Sequence, residues 1–232
     1  MKKRFEKFGI IVKSLFILIV IVFGNYVITA QEDVQIINKP EGEIELKKYS
    51  DLIDFMNVGE KPFGEINEKA PAETLQFGQL AGIWEIENTA WFQGKWYCCW
   101  RAAWGFKYIL DGYGVQDYWM QLEEDLPPPM KQIARNSSLS QLRVYSKKDK
   151  KWSVSWISNG AGETGGSDYG RFEAFKKDDE MIMIPPKIEG KPLSRIIFYD
   201  IKKDSFMWRS EISEDEGKTW QPRTYIKATR IK

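Results

Sequence analysis

From Gln79 onward the chain alternates with a period of two, and few architectures accept that pattern. Trp84 and Ile86 share one face while Glu85 and Glu87 share the other. Trp96, Cys98, Trp100, Ala102 and Trp104 line one face against Tyr97, Cys99, Arg101 and Ala103. Leu142/Val144, Trp152/Val154/Trp156, Phe206/Trp208 and Tyr225 to Ile231 repeat the alternation. Between these runs stand the turn-forming clusters Asp111-Gly112, Lys148-Asp149-Lys150, Asp178-Asp179, Lys202-Lys203-Asp204 and Asp215-Glu216-Gly217. The spacing predicts roughly eight to ten short strands joined by hairpins, with no crossover helix. An all-β fold, an antiparallel up-and-down β-barrel, is the economical outcome, because closing the sheet on itself removes both unpaired edges.

Composition narrows the chemistry. The 232 residues contain no histidine, which excludes Ser-His and Cys-His catalysis, His-ligated zinc and His-bound haem iron. No metal site and no cofactor are expected, and any catalysis must rest on Asp, Glu, Lys, Tyr or Arg. All ten tryptophans fall between Trp84 and Trp220, which places the globular unit at residues 78–232.

Residues 1–30 read as an export signal: Lys2, Lys3, Arg4 and Lys7 precede the apolar run Leu15 to Phe23, and small residues end at Ala30. A retained membrane anchor is the alternative. Cleavage would remove five basic and one acidic side chain, taking the formal charge from +1 to −3. A mildly acidic, secreted or periplasmic protein has no electrostatic footprint for nucleic acid. Residues 31–77 form a polar N-terminal extension interrupted by Pro40, Pro62 and Pro71. Tyr49, Leu52, Ile53 and Met56 recur on one helical face, so residues 43–57 read either as an amphipathic helix or as a linker with one transient helix. The only cysteines, Cys98 and Cys99, are adjacent in a strand-like run. Strand alternation sends neighbouring side chains to opposite faces, so two unbonded thiols are expected.

Gly82-Ile83-Trp84 at the start of the alternating region and Arg230 at its end resemble the closing clasp of lipocalin-like barrels, in which a terminal Arg lies over the first-strand indole. The segments Tyr108 to Trp119, Leu142-Arg143-Val144-Tyr145, Trp152 to Trp156, Asp204 to Glu211 and Ser213 to Trp220 extend the likeness over residues 78–232. In this order they resemble a largely uncharacterised, DUF1579-like group of bacterial secreted proteins of the calycin type. The resemblance implies the barrel, with Gly82, Trp84 and Arg230 as its structural clasp. It implies no activity.

Three motifs carry less than they spell. Ser213-x-Asp215-x-Gly217-x-Thr219-Trp220 matches an Asp-box, a hairpin device in which side-chain oxygens tie down turn amides. It occurs once here, so a structural turn is the reading. Gly160-x-Gly162-x-x-Gly165 spells a dinucleotide fingerprint, but a strand follows it where a helix is required. A loop at the barrel mouth is expected there. Asn136-Ser137-Ser138 matches a glycosylation sequon in pattern only.

Asp117 is the candidate for chemistry. If Trp119 faces inward, alternation carries Asp117 and Tyr113 inward with it, leaving a carboxylate among indoles. Such an acid needs a partner, for which Arg143 and Arg101 are the available cations, with Glu211 a second carboxylate. Either the pair is structural, or Asp117, Tyr113 and Glu211 form the catalytic set of a hydratase, isomerase or lyase, with a carbohydrate as one substrate. The first functional expectation is an exported barrel binding a small, partly apolar molecule at its mouth or interior. Trp100, Trp104, Trp119, Trp156 and Trp208 would supply stacking surface and Arg143 would fix orientation. A packed barrel acting as an envelope interaction module is the remaining alternative.

Overall fold

The computed structural model describes residues 34–36, 57–58, 61–121, 126–129, 138–159 and 168–231. The export signal, residues 43–56 of the expected helix, the glycine-rich 160–165 loop and Asn136 lie outside them. Three short strands come first: β1 (Val34–Ile36), β2 (Asn57–Val58) and β3 (Lys61–Pro62). A 3-10 turn (Ala72–Thr74) then leads into a short helix, α1 (Leu75–Gly78). Ten further strands follow: β4 (Gly82–Phe92), β5 (Lys95–Ile109), β6 (Gly114–Gln121), β7 (Ser138–Ser146), β8 (Lys151–Ser158), β9 (Asp168–Lys177), β10 (Glu180–Ile184), β11 (Leu193–Tyr199), β12 (Ser205–Ser213) and β13 (Gln221–Arg230).

β4 through β13 pair antiparallel in sequence order, and β13 returns to pair with β4, so all ten have two neighbours and the up-and-down barrel is closed. β5 is the longest strand. Its first part overhangs β6, which pairs only from Ala102 onward, and parallel β1 takes up that edge at Trp96 to Cys98.

The clasp forms as the sequence suggests. Arg230 is register partner of Trp84, and its guanidinium carbon lies 4.0 Å from the centre of that ring. Arg230 donates from Nε to the Lys203 carbonyl at 2.7 Å, from Nη1 to Ala81 at 2.6 Å and from Nη2 to Gln79 at 3.1 Å. The buried Trp84 indole donates to Leu80 at 2.8 Å. Gly82 is required here: its φ is +137°, and a Cβ would lie 2.2 Å from Arg230 Nη1. α1 seals this end. Phe77, which the sequence assigns to the extension, sits fully buried edge-on to Trp152 and Phe198, at 5.0 and 5.7 Å between centroids.

Inside the barrel, Trp104 is the hub of an aromatic cluster, with Phe106, Trp119, Phe198, Phe206 and Trp208 all within 6.5 Å between centroids. Interlocking rings of this size fill a small barrel to the density of a protein interior. β7 inverts the usual preference. Leu142 and Val144 face solvent, while Gln141 and Arg143 point inward and are buried. The reason lies across the register, where Asp117 on β6 stands opposite Gln141 and needs a cation.

The expectation of two free thiols is wrong: Cys98 and Cys99 are bonded to each other. The alternation argument failed because β5 bulges at that point. Asn88 pairs with Trp100 and Thr89 with Cys98, leaving Cys99 unpaired at φ +78°. The extra residue breaks the period of two and turns both sulfurs to one place.

Candidate functional site

Alternation along β6 turns Val115, Asp117, Trp119 and Gln121 inward, all of them buried. Asp117 is fully enclosed. Its Oδ2 accepts from Arg143 Nη2 at 2.8 Å and Trp104 Nε1 at 2.9 Å, and its Oδ1 from the Gln141 backbone amide at 2.7 Å. Burial pushes the carboxyl above its ordinary value, against the opposing pull of Arg143 and of the amide and indole donors. Arg143 also donates to the Gln141 side-chain oxygen. Its Nε and Nη1 have no hydrogen-bond partner among the described residues. Aromatic faces stand in for them, with the guanidinium 5.0 Å from the Phe77 ring centre and 5.6 Å from that of Phe106.

On the side of this pair away from α1 lies a gap of about 20 Å³, lined by Trp104, Trp119, Leu139, Gln141, Met183, Trp208 and neighbouring aliphatic side chains. It has room for about one water molecule. The Trp119 indole N–H on its wall has no acceptor among the described residues. Further toward the end opposite the clasp, the described inward residues become polar and uncharged: Asn88, Gln121, Ser210 and Thr224 are all buried. Their registers follow those of the inward Trp100, Ala102, Ile196 and Ala90. Trp100 donates from Nε1 to Gln121 Oε1 at 3.3 Å, and Gln121 donates to the Arg101 carbonyl at 2.8 Å.

The structure thus gathers Trp104, Trp119, Trp208, Asp117 and Arg143 around one region. Trp100 belongs to the polar zone. Trp156 lies inward over Gly170, where a Cβ would come within 2.6 Å of its indole nitrogen. The three residues of the catalytic alternative are not brought together. Tyr113 lies in the β5–β6 turn, where its amide donates to Leu110 at the clasp end. Glu211 is on the outer wall, held by Arg195 Nε at 2.6 Å and Arg209 Nε at 2.8 Å. Arg101 pairs in register with outward Glu87 and alternates with the inward Trp100 and Ala102, so Arg143 alone meets Asp117. Sequence reasoning passed over Gln141, Met183 and Phe77. Gln141 was readable, since it lies two residues before Arg143 on one strand. The other two come from segments whose position only the closed barrel defines.

The Asp-box is a turn device here. Gly217 donates its amide to Ser213 Oγ at 2.7 Å, and Thr219 donates its amide and hydroxyl to Asp215 at 2.8 and 2.6 Å. The Thr219 hydroxyl and amide, with the Ser213 hydroxyl that donates to Asp215 at 2.7 Å, hold its carboxyl down at about 2. Trp220 closes the turn by donating to the Gly217 carbonyl at 3.1 Å, and Arg195 stacks on its ring at 4.0 Å. Among the described residues no group of acidic or sulfur side chains is placed to hold a metal ion.

No protein-family model matches the chain, and no curated protein matches it. Among solved structures it is similar to the S-type phycobiliprotein lyase CPES from Guillardia theta, with 12% identity and a TM-score of 0.29. The similarity covers 70% of this chain and 98% of that one. The barrel assignment rests on the strand pairing described above.

Proposed function

We propose that this protein is an exported member of the DUF1579-like, calycin-type group that binds a small, partly apolar, uncharged molecule between the tryptophan cluster and the polar end of its barrel. The unpartnered Trp119 N–H on the wall of an indole-lined gap carries this reading, because a buried donor without an acceptor is costly unless something supplies one. An acceptor such as a carbonyl or ether oxygen would meet that N–H while its apolar part lies against Trp104 and Trp208. An uncharged ligand fits the described interior, where the inward charges of Asp117 and Arg143 already neutralise one another. The gap itself is small, so a ligand larger than one or two heavy atoms requires Met183 to swing aside, a movement its unbranched side chain allows.

Native mass spectrometry of the protein purified from its own host tests this reading. A noncovalent adduct is expected, and Trp119→Phe, which keeps an aromatic ring but removes the donor and some core volume, should lose it at a cost of about 1 to 3 kcal/mol in stability, leaving the protein folded. An adduct retained by Trp119→Phe places the ligand elsewhere. The small gap also favours a second reading, a packed barrel serving as an envelope interaction module, and a purified protein with no adduct selects it.

A further inference from the structure

We propose that the Cys98–Cys99 disulfide is a two-electron redox site on the barrel wall, exchanged by small dithiols and coupled to the polar end of the interior. The inference does not depend on the ligand-binding reading. Its first support is position. Both cysteines are only half-buried, and Cys98 stands opposite Thr89 on the outer face of the wall, so a small reagent can reach the sulfurs without opening the barrel core, although β1 pairs with the β5 edge at Cys98. A disulfide that stabilises a fold by closing a long loop is a different object, since this one joins adjacent residues.

The second support is chemical. Thr89 lies opposite Cys98 in the register, and its hydroxyl donates to Cys98 Sγ at 3.3 Å. That hydrogen bond favours negative charge on Cys98 and makes it the better leaving group. The thiolate of a dithiol reductant therefore attacks Cys99 Sγ. The S–S bond breaks and its electron pair passes to Cys98 Sγ. The second thiol of the reductant then displaces Cys99 Sγ from the mixed disulfide. Two electrons and two protons have passed to the protein, and the reductant leaves as its own disulfide; oxidation runs the same steps in reverse.

The third support is the connection inward. Cys99 holds a left-handed φ of +78° that a residue with a side chain rarely adopts, and it is the unpaired residue of the bulge. The two carbonyls that follow are held from inside the barrel. Asn88 donates to Trp100 O at 3.4 Å and Gln121 to Arg101 O at 2.8 Å, while the Trp100 indole donates to Gln121. Reduction releases the tie between residues 98 and 99, so the bulge can relax and the change arrives first at Trp100 and Gln121.

The test uses the full-length protein in graded dithiothreitol buffers, with thiols counted by alkylation and mass and tryptophan emission followed in parallel. Two thiols should appear under native conditions while far-ultraviolet circular dichroism stays unchanged. The emission should shift with reduction and return on reoxidation. Thr89→Val should slow reduction by about threefold or more through loss of the leaving-group donor. The double variant Cys98→Ser, Cys99→Gly keeps the bulge, because glycine accepts the positive φ, and should show no emission response. The proposal is overturned if both thiols label in the unreduced native protein, if reduction requires unfolding, if Thr89→Val reduces at the wild-type rate, or if the double variant responds like the wild type.

Discussion

The barrel wall carries one ionic cluster on its inside and another on its outside, built from the same residue types. Inside, Asp117 and Arg143 form a pair with both side chains fully enclosed. Outside, Glu211 bridges Arg195 and Arg209, and Arg209 reaches on to Glu180 at 3.0 Å. Each cluster leans on aromatic rings: Arg143 on Phe77 and Phe106, Arg209 on Tyr199 at 4.5 Å, Arg195 on Trp220. The geometry is similar and the energetics are not. Although Glu211 itself is buried, the outer guanidinium groups are partly exposed and water can take over from a lost partner, whereas a broken inner pair leaves a charge with nothing to replace its partner. The inner pair therefore specifies how β6 and β7 meet. The outer network only adds to a contact that strand pairing already makes.

The largest expected effect comes from breaking the inner pair. Asp117→Asn should lower stability by about 3 to 5 kcal/mol, because it strands the Arg143 charge beneath α1. Urea unfolding measures this, and a loss below about 1 kcal/mol would make the inner pair no different from the outer one. Replacing both partners together, Asp117→Leu with Arg143→Met, should recover most of the loss by removing the stranded charge.

Glu211→Gln sharpens the other side of the comparison. It removes a buried carboxylate from two guanidinium groups that stay partly exposed, so a loss of about 1 to 2 kcal/mol, below that of Asp117→Asn, is expected from the same unfolding measurement. A cost equal to that of Asp117→Asn would show that the outer network is as poorly solvated as the inner pair.

The smallest effect belongs to Asp215, which lies half-buried in a surface turn with its carboxyl held at about 2 rather than at its ordinary 3.8. The depressed value means that the ionised form favours the folded state. That contribution is complete above about pH 4 and is lost as pH falls through about 2. Melting curves between those limits should therefore show a small acid-side loss that Asp215→Asn lacks. An identical acid dependence in the variant would detach the Asp-box from acid stability.

How much of this was legible in the chain depended on the range over which each feature is written. The Asp-box was readable because all its donors and acceptors lie between Ser213 and Trp220. The inward Asp117 was readable because the period of two holds without interruption from Gly114 to Gln121. The cysteine pairing was misread because a bulge is a mismatch between two strands, two residues facing one, and neither strand records it alone. Tyr113 was misplaced for a related reason: the alternation was extended one residue beyond the start of β6, into a turn where it has no meaning.

Sequence by itself determined the all-β architecture, the clasp between Trp84 and Arg230, and the inward carboxylate. The architecture and the inward carboxylate follow from local periodicity, and the clasp from the resemblance of Gly82-Ile83-Trp84 and Arg230 to the closure of lipocalin-like barrels. Tertiary structure alone decided that Arg143 rather than Arg101 is that partner, that the aromatic interior leaves a gap of only about 20 Å³, and that Cys98 and Cys99 meet. These depend on the register between strands and on how ten walls converge, and closure of the barrel sets both at once.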